Sequence, residues 1–297
     1  MNWQQISFEV QKSEVDLISE ILMGIGSLAI TFSDACQDDI YEPPVGEMPL
    51  WDNIILTALF SSEVSEDLIS TAISEICNIN ILENIELKDR IWEEECQKNF
   101  PSMQFGKNLW VRPYWDEAFA IPSDSIAINI DPGLAFGTGA HQTTSLCLEF
   151  LDENPPQNLD VIDYGCGSGL LAIAAAKLNA RSVVAIDHDP QAIISSRENI
   201  AKNHCENDIK VINANERLEY GYCDLLIANI LVNPLIKLEP LFLDILKPNG
   251  VILLSGVLKN QLEVLLECYS INFYNFIIKS KDEWISLSAK KNIKKQD

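Results

Sequence analysis

The run Val161-Ile162-Asp163-Tyr164-Gly165-Cys166-Gly167-Ser168-Gly169 closes a short apolar stretch with an acid and follows it with three alternate glycines. Leu170-Leu171-Ala172-Ile173-Ala174-Ala175-Ala176-Lys177 comes next, so the pattern reads as strand, tight turn, helix. Glycine at such a turn lets a ligand come close to the main chain. The helix start behind it presents free N–H groups. Dinucleotide folds use GxGxxG, with the pyrophosphate resting on the helix start. Here the second gap is one residue shorter. A second acid, Asp187, ends the apolar run 182–187, about 20 residues past the glycines, where an acid suits a ribose diol. An adenosyl ligand without a pyrophosphate needs the close backbone and the diol acceptor, not the phosphate cradle. The spacing therefore points to an S-adenosylmethionine site rather than a nicotinamide site.

Asn229 ends a third apolar run, 223–229. Ligands of open parallel sheets bind outside the carboxyl ends of the strands, which is where these three polar ends fall. Each alone has a plain structural meaning: glycines mark turns, Asp187-His188-Asp189-Pro190 caps a helix, and Asn229 serves a turn. Their coincidence at three strand ends carries the reading. Methyl transfer from a sulfonium is an in-line displacement with a good leaving group, so positioning and a neutral nucleophile supply most of what it needs. An amine of pKa about 10.4 must first lose its proton, which desolvation favours. Asn229 and the carbonyls after it are placed to accept amine hydrogens. His141 is read as a structural residue bonded within its loop, and no catalytic residue is assigned.

The elements that must hold these residues follow from periodicity. Strands are expected at 160–164, 182–187, 209–213, 223–229 and 250–255, and helices at 169–179, 190–203, 234–246 and 259–268. This alternation implies an α/β fold with a parallel sheet covered on both faces. Segments 273–279 and 284–289 have no helix between them and read as an antiparallel hairpin on the sheet edge. The first part of the chain differs. Strands at 3–10, 27–32, 53–60 and 79–87 alternate with helices at 15–22 and 65–77, an order βαββαβ that fits a ferredoxin-like α+β unit. The expected division is a ferredoxin-like domain over 1–88, a connector helix over 89–101 and a cofactor-binding catalytic domain over 102–297.

The chain carries a formal charge of −23. Residues 1–100 hold 4 Lys+Arg against 20 Asp+Glu, a net of −16, and the remainder holds −7. Such acidity repels nucleic acid and attracts basic partners, although an acidic face also serves solubility alone. The eight cysteines are scattered without a CxxC pair, which argues against a zinc site or a disulfide framework. No apolar run is long enough for a membrane span, and the start lacks the regions of a signal peptide. A cytoplasmic location is expected, with no metal, no membrane and no direct nucleic-acid binding.

With these residues in view, the chain resembles the ribosomal protein L11 methyltransferase family. The most specific likeness is segment 129–144, Asn-Ile-Asp-Pro-Gly-Leu-Ala-Phe-Gly-Thr-Gly-Ala-His-Gln-Thr-Thr. It extends to the turn 163–169, to Ile186-Asp187-His188-Asp189-Pro190 and to Ala228-Asn229-Ile230-Leu231-Val232-Asn233-Pro234-Leu235. In the first domain it covers Trp3, Tyr41-Glu42-Pro43, Gly46-Glu47 and Trp51, and then residues 99–106. The glycine turn by itself is common to all class I methyltransferases. Two departures stand out. Gln142 replaces the usual proline of His-Pro-Thr-Thr and is expected to loosen the loop over the cofactor. Cys96 stands in the connector where a tryptophan is frequent.

The resemblance implies a class I, Rossmann-like seven-stranded sheet preceded by a substrate-recognition domain. It implies that Thr144, Gly165, Asp187 and Asn229 contact S-adenosylmethionine. It also implies methylation of lysine and amino-terminal amines of a basic ribosomal protein, L11. Related amino-methyltransferases place Asn/Asp-Pro-Pro-aromatic after the fourth strand. This chain has Asn229-Ile230-Leu231-Val232 there, so the aromatic wall must come from elsewhere, and Phe136 is the candidate. The segment 133–139 is expected to close over the ligand. The rival readings are methylation of another protein or of RNA, a nicotinamide-dependent dehydrogenase, and a non-catalytic adenosyl-binding module. Acidity disfavours RNA, and the glycine spacing disfavours the dehydrogenase.

Overall fold

The computed structural model describes residues 3–36, 49–74, 81–87, 101–116, 119–130, 141–215 and 222–292. The chain divides into two compact units, Met1–Trp92 and Glu93–Asp297. The connector expected at 89–101 lies outside the described residues except for Pro101, as do Cys96 and the segment 133–139 with Phe136.

In the first unit, strand β1 (Trp3–Gln11) is followed by helix α1 (Val15–Gly24), β2 (Ala29–Asp34), β3 (Asn53–Ser61), α2 (Glu66–Ser74) and β4 (Ile81–Leu87). The four strands form an antiparallel sheet in the order β2-β3-β1-β4, the ferredoxin-like arrangement. Strand alternation sends Ile6, Phe8 and Val10 to one face, beside Ile54, Leu56, Ala58 and Phe60 of β3. Val15, Ile18 and Leu22 of α1 and Ile69 and Ile73 of α2 close this core, at helical spacing along each element.

The second unit opens with a small sheet that periodicity did not anticipate. It contains β5 (Met103–Phe105), β6 (Leu109–Pro113) and β7 (Ile126–Ile130), with β5 and β6 antiparallel and β6 and β7 parallel. Helix α3 (Gln142–Glu153), also unanticipated, follows. These strands are too short to announce themselves, and the first turn of α3, Gln142-Thr143-Thr144-Ser145, carries no apolar residue. Asp152 near the end of α3 accepts from the Lys107 and Asn108 main-chain N–H groups at 2.6 and 3.1 Å, tying the β5–β6 turn to the helix.

The main sheet then builds as expected. Its elements are β8 (Asp160–Tyr164), α4 (Leu170–Lys177), β9 (Ser182–Asp187), α5 (Pro190–Lys202), β10 (Ile209–Asn213), β11 (Cys223–Asn229), α6 (Val232–Ile245), β12 (Leu246–Leu258), α7 (Leu262–Tyr269), β13 (Phe273–Lys281) and β14 (Trp284–Lys291). The order is β10-β9-β8-β11-β12-β14-β13. The first five are parallel, and the last two form the antiparallel edge hairpin.

Strand β12 is longer than the expected 250–255. It begins directly after α6, because Leu246 pairs with Cys223 before the turn-like Lys247-Pro248-Asn249-Gly250. Both faces of the sheet are covered, so Leu225-Leu226-Ile227-Ala228 is buried throughout. Leu225 and Ile227 join the core under α3 and α4, whereas Leu226 and Ala228 join the core under α6 and α7. At the amino ends of the strands, Lys247 bridges Asp160 and Asp224, at 2.8 Å each, and Arg181 pairs with Asp160. The Arg181 guanidinium holds the Asp160 carboxyl well below the usual carboxylate range.

The chain runs outward from β8 to β9 and β10, then returns to β11 and β12 on the other side. The strand order therefore reverses between β8 and β11, and open sheets of this kind form their ligand crevice at the carboxyl ends of such a switch point. Among the described residues no helix is long and apolar enough to cross a membrane.

Candidate functional site

The glycine turn sits at the mouth of this crevice. Gly165, Gly167 and Gly169 have φ of +77°, +52° and +80°, a region that side-chain-bearing residues rarely adopt. Gly165 and Cys166 both donate to the Ile186 carbonyl, at 2.8 and 3.0 Å, which binds the turn to the neighbouring strand end. A Cβ at Gly165 would lie 2.4 Å from Ile230 Cγ2. The turn is thus a bare main-chain surface with the start of α4 behind it, the cradle an adenosyl ligand requires.

Asp187 does more than its position suggested. Its Oδ2 accepts from the Gly167 N–H at 2.9 Å and its Oδ1 from the Asp189 N–H at 3.0 Å. The carboxylate therefore clamps the glycine turn. Each oxygen keeps further acceptor capacity, which suits a diol that offers one hydroxyl to each. Asp189 caps α5 by accepting from the Gln191 N–H at 2.9 Å. The capping reading thus belongs to Asp189, and Asp187 fastens the turn.

Asp163, at the end of β8, is almost fully buried. Its Oδ2 accepts from the Ala172 N–H at 2.9 Å in the first turn of α4. Its Oδ1 has no hydrogen-bond partner. Burial pushes its carboxyl up to about 7, opposed by the Ala172 bond and reinforced by the negative charge of Asp187.

Asn229 and Thr144 meet directly, with Asn229 Nδ2 donating to Thr144 Oγ1 at 3.2 Å. Thr144 lies in the first turn of α3, where His141 is the cap. The His141 carbonyl accepts from the Thr144 and Ser145 N–H groups, and Nδ1 lies 2.7 Å from Thr143 Oγ1. Its ring meets Trp284 edge-on with centroids 4.8 Å apart. Burial lowers its pKa. His141 thus holds a helix start. Gln142 donates to Asp282 at 3.0 Å in the β13–β14 turn. Gln142 thereby ties the start of α3 to the edge hairpin; the loop it was expected to loosen lies outside the described residues.

The four residues expected to contact the cofactor therefore converge at the carboxyl ends of β8, β9 and β11. Two of them, Thr144 and Asn229, are hydrogen-bonded to each other. Sequence reasoning missed the amides that support them. Asn203 donates to the Asn129 carbonyl at 2.6 Å and accepts from the Asn129 N–H at 2.9 Å, while Asn199 donates to the Ser168 carbonyl at 3.0 Å. Both are buried, and Gly169 packs against Ser196 of the same helix. A signal was present: Ser196 and Asn199 lie on the core-facing stripe of α5 beside Ile193 and Ile200, and Asn203, seven residues after Ser196, caps the end of that helix. Buried amides at that spacing must have partners. Six cysteines fall among the described residues, all as free thiols. No cluster there could hold a metal ion.

A family model described as ribosomal protein L11 methyltransferase (PrmA) matches residues 2–292. Curated proteins named ribosomal protein L11 methyltransferase are similar over nearly the whole chain. That of Haemophilus influenzae (strain PittEE) is 40% identical over 294 residues, covering 98% of this chain and 99% of its own. That of Hydrogenovibrio crunogenus is 40% identical over 299 residues, covering 99% of each. Among solved structures, the ribosomal protein L11 methylase of Lactobacillus delbrueckii subsp. bulgaricus superimposes with a TM-score of 0.60 at 32% identity. It covers 65% of this chain and 100% of its own.

Proposed function

Because the chain belongs to the ribosomal protein L11 methyltransferase family, we propose that it transfers methyl groups from S-adenosylmethionine to lysine and amino-terminal amines of ribosomal protein L11. The observation that carries the reading is the joined constellation at the switch point. A bare glycine turn is clamped by Asp187, and Asn229 is bonded to Thr144 across the crevice. When bound, S-adenosylmethionine supplies a methyl group on an electrophilic sulfonium.

The chain's own residues bind and orient. Gly165 offers main chain to the amino-acid portion, and Asp187 accepts from the ribose hydroxyls. Thr144 braces Asn229, whose side-chain oxygen is left free of that bond to accept a hydrogen from the amine. An acceptor nitrogen aimed in this way needs no strong base once its proton is shed, and partial desolvation at the strand ends lowers the amine pKa.

The acidic first domain, 1–88, is the substrate-recognition element of this reading, and 102–297 is the catalytic element. Residues 1–88 carry 2 Lys+Arg against 16 Asp+Glu, complementary to a basic protein. The acidity also disfavours RNA as the direct target. The reading goes with a cytoplasmic location, since the substrate is a ribosomal protein. Mass spectrometry of purified ribosomal protein L11 after incubation with the enzyme and S-adenosylmethionine tests it. A mass increase corresponding to whole methyl groups on lysine or amino-terminal amines is expected. An unmodified substrate, with the enzyme folded and the cofactor bound, overturns the assignment.

A further inference from the structure

Gly256 lies in β12, one strand away from the crevice, in a bulge where the register shifts between Ser255 and Val257. Its φ is +82°. A Cβ there would fall 2.4, 2.8 and 3.0 Å from the O, C and N atoms of Ile230. Those are main-chain atoms and cannot rotate aside as the end of a side chain would. On the opposite flank, a Cβ at Gly165 would fall 2.4 Å from Ile230 Cγ2.

Strand β11 runs between β8 and β12. Ile230, the first residue beyond it, therefore passes between a glycine of each neighbour. The next connection is through Ser255, which is paired with Asn229 in register. The Ser255 hydroxyl lies 3.2 Å from the Thr143 carbonyl and 3.0 Å from the Ile285 carbonyl. Ser255 thus lies beside Asn229 in the sheet and bonds to the residue before Thr144, while Gly256 packs against the residue after Asn229.

We propose that Gly256 is a positioning residue for methyl transfer: with Gly165 it forms a slot that fixes the Ile230 peptide, and so the direction in which Asn229 and the carbonyls after it face the acceptor amine. The inference rests on the methyltransferase reading above. Isoleucine suits the slot because its β-branch restricts χ1, so Cγ2 against Gly165 also fixes the backbone that carries it. Displacing a positioned group by about 1 Å costs on the order of 10²-fold in rate, and a methyl at Gly256 demands a shift of that size.

The test uses the full-length chain with two variants, Gly256→Ala and Ile230→Leu. The second keeps side-chain volume but moves the methyl away from Gly165. Methylation of ribosomal protein L11 is measured at saturating substrates, S-adenosylmethionine affinity by calorimetry, and folding by thermal melting. Gly256→Ala is expected to lower kcat by about 10–100-fold, and Ile230→Leu by about 3–10-fold, with cofactor affinity and the KM for the protein within about threefold of the parent. A role in packing alone would lower the melting temperature and leave kcat of the folded enzyme in place. If Gly256→Ala does not fold, Ile230→Leu decides the matter with Gly256 intact. An active parent matched within twofold in kcat by the folded variants overturns this inference alone, as does a loss confined to cofactor affinity. A parent that transfers no methyl overturns the methyltransferase reading and this inference with it.

Discussion

Replacing Asp163 by asparagine should shift the stability of the cofactor-free protein in favour of the variant as pH rises. The folded-state pKa of Asp163 is raised to about 7, against about 3.9 for an unperturbed aspartate. Between these values the native state retains a proton that the unfolded chain releases, so stability falls as pH increases through the window and the full cost is present above it. The cost is on the order of 4 kcal/mol above pH 7, with less than half of it already present at pH 5. Asparagine is neutral throughout and keeps an oxygen for the Ala172 N–H, the bond now made at 2.9 Å. Its amide nitrogen, in place of the unpartnered Oδ1, adds an offset that does not vary with pH and cancels in the comparison. The advantage of Asp163→Asn over the parent should therefore grow by about 2–3 kcal/mol between pH 5 and pH 8. Urea unfolding of both proteins at the two pH values, followed by circular dichroism, measures it. A difference that stays constant with pH, or one that shrinks toward pH 8, refutes the buried-charge argument.

Three further outcomes are expected. Asp187→Ala removes both the diol acceptor and the clamp on the Gly167 N–H, so calorimetry should show S-adenosylmethionine binding weakened by about 1–3 kcal/mol; unchanged affinity in a folded variant removes Asp187 from the site. Asn229→Ala breaks the bond to Thr144 and should reduce kcat more than cofactor affinity, and normal turnover at saturation would deny it an orienting role. A folded fragment of residues 102–297 should still bind S-adenosylmethionine yet scarcely methylate intact ribosomal protein L11, while substrate binding by the full chain should weaken as salt rises. Equal methylation by the fragment would return the acidity of residues 1–88 to a solvated face.

Much of the catalytic sheet was legible because its signals are local. Strands 160–164, 182–187, 209–213 and 223–229 fall where their apolar runs do, and a strand buried on both faces has no other composition open to it. The glycine turn was legible for the same reason, since a positive φ at Gly165, Gly167 and Gly169 is a requirement that sequence states outright. The position of Asp187 at the end of β9 follows from the same run. Its grip on Gly167 does not, because that bond joins residues 20 apart, on strands whose adjacency the sheet order sets.

Only tertiary structure decided the rest. The sheet β5-β6-β7 and helix α3 carry weak periodicity and are held by contacts such as Asp152 to the Lys107 and Asn108 N–H groups. Thr144 reaches Asn229 across 85 residues, and Asn203 reaches Asn129 across 74. Gly256 looks like any strand glycine until the bulge of β12 brings it against the Ile230 main chain. Periodicity reports which face of an element is buried. It says nothing of which distant element will lie there, because strand order and register are settled by the packing of the whole core.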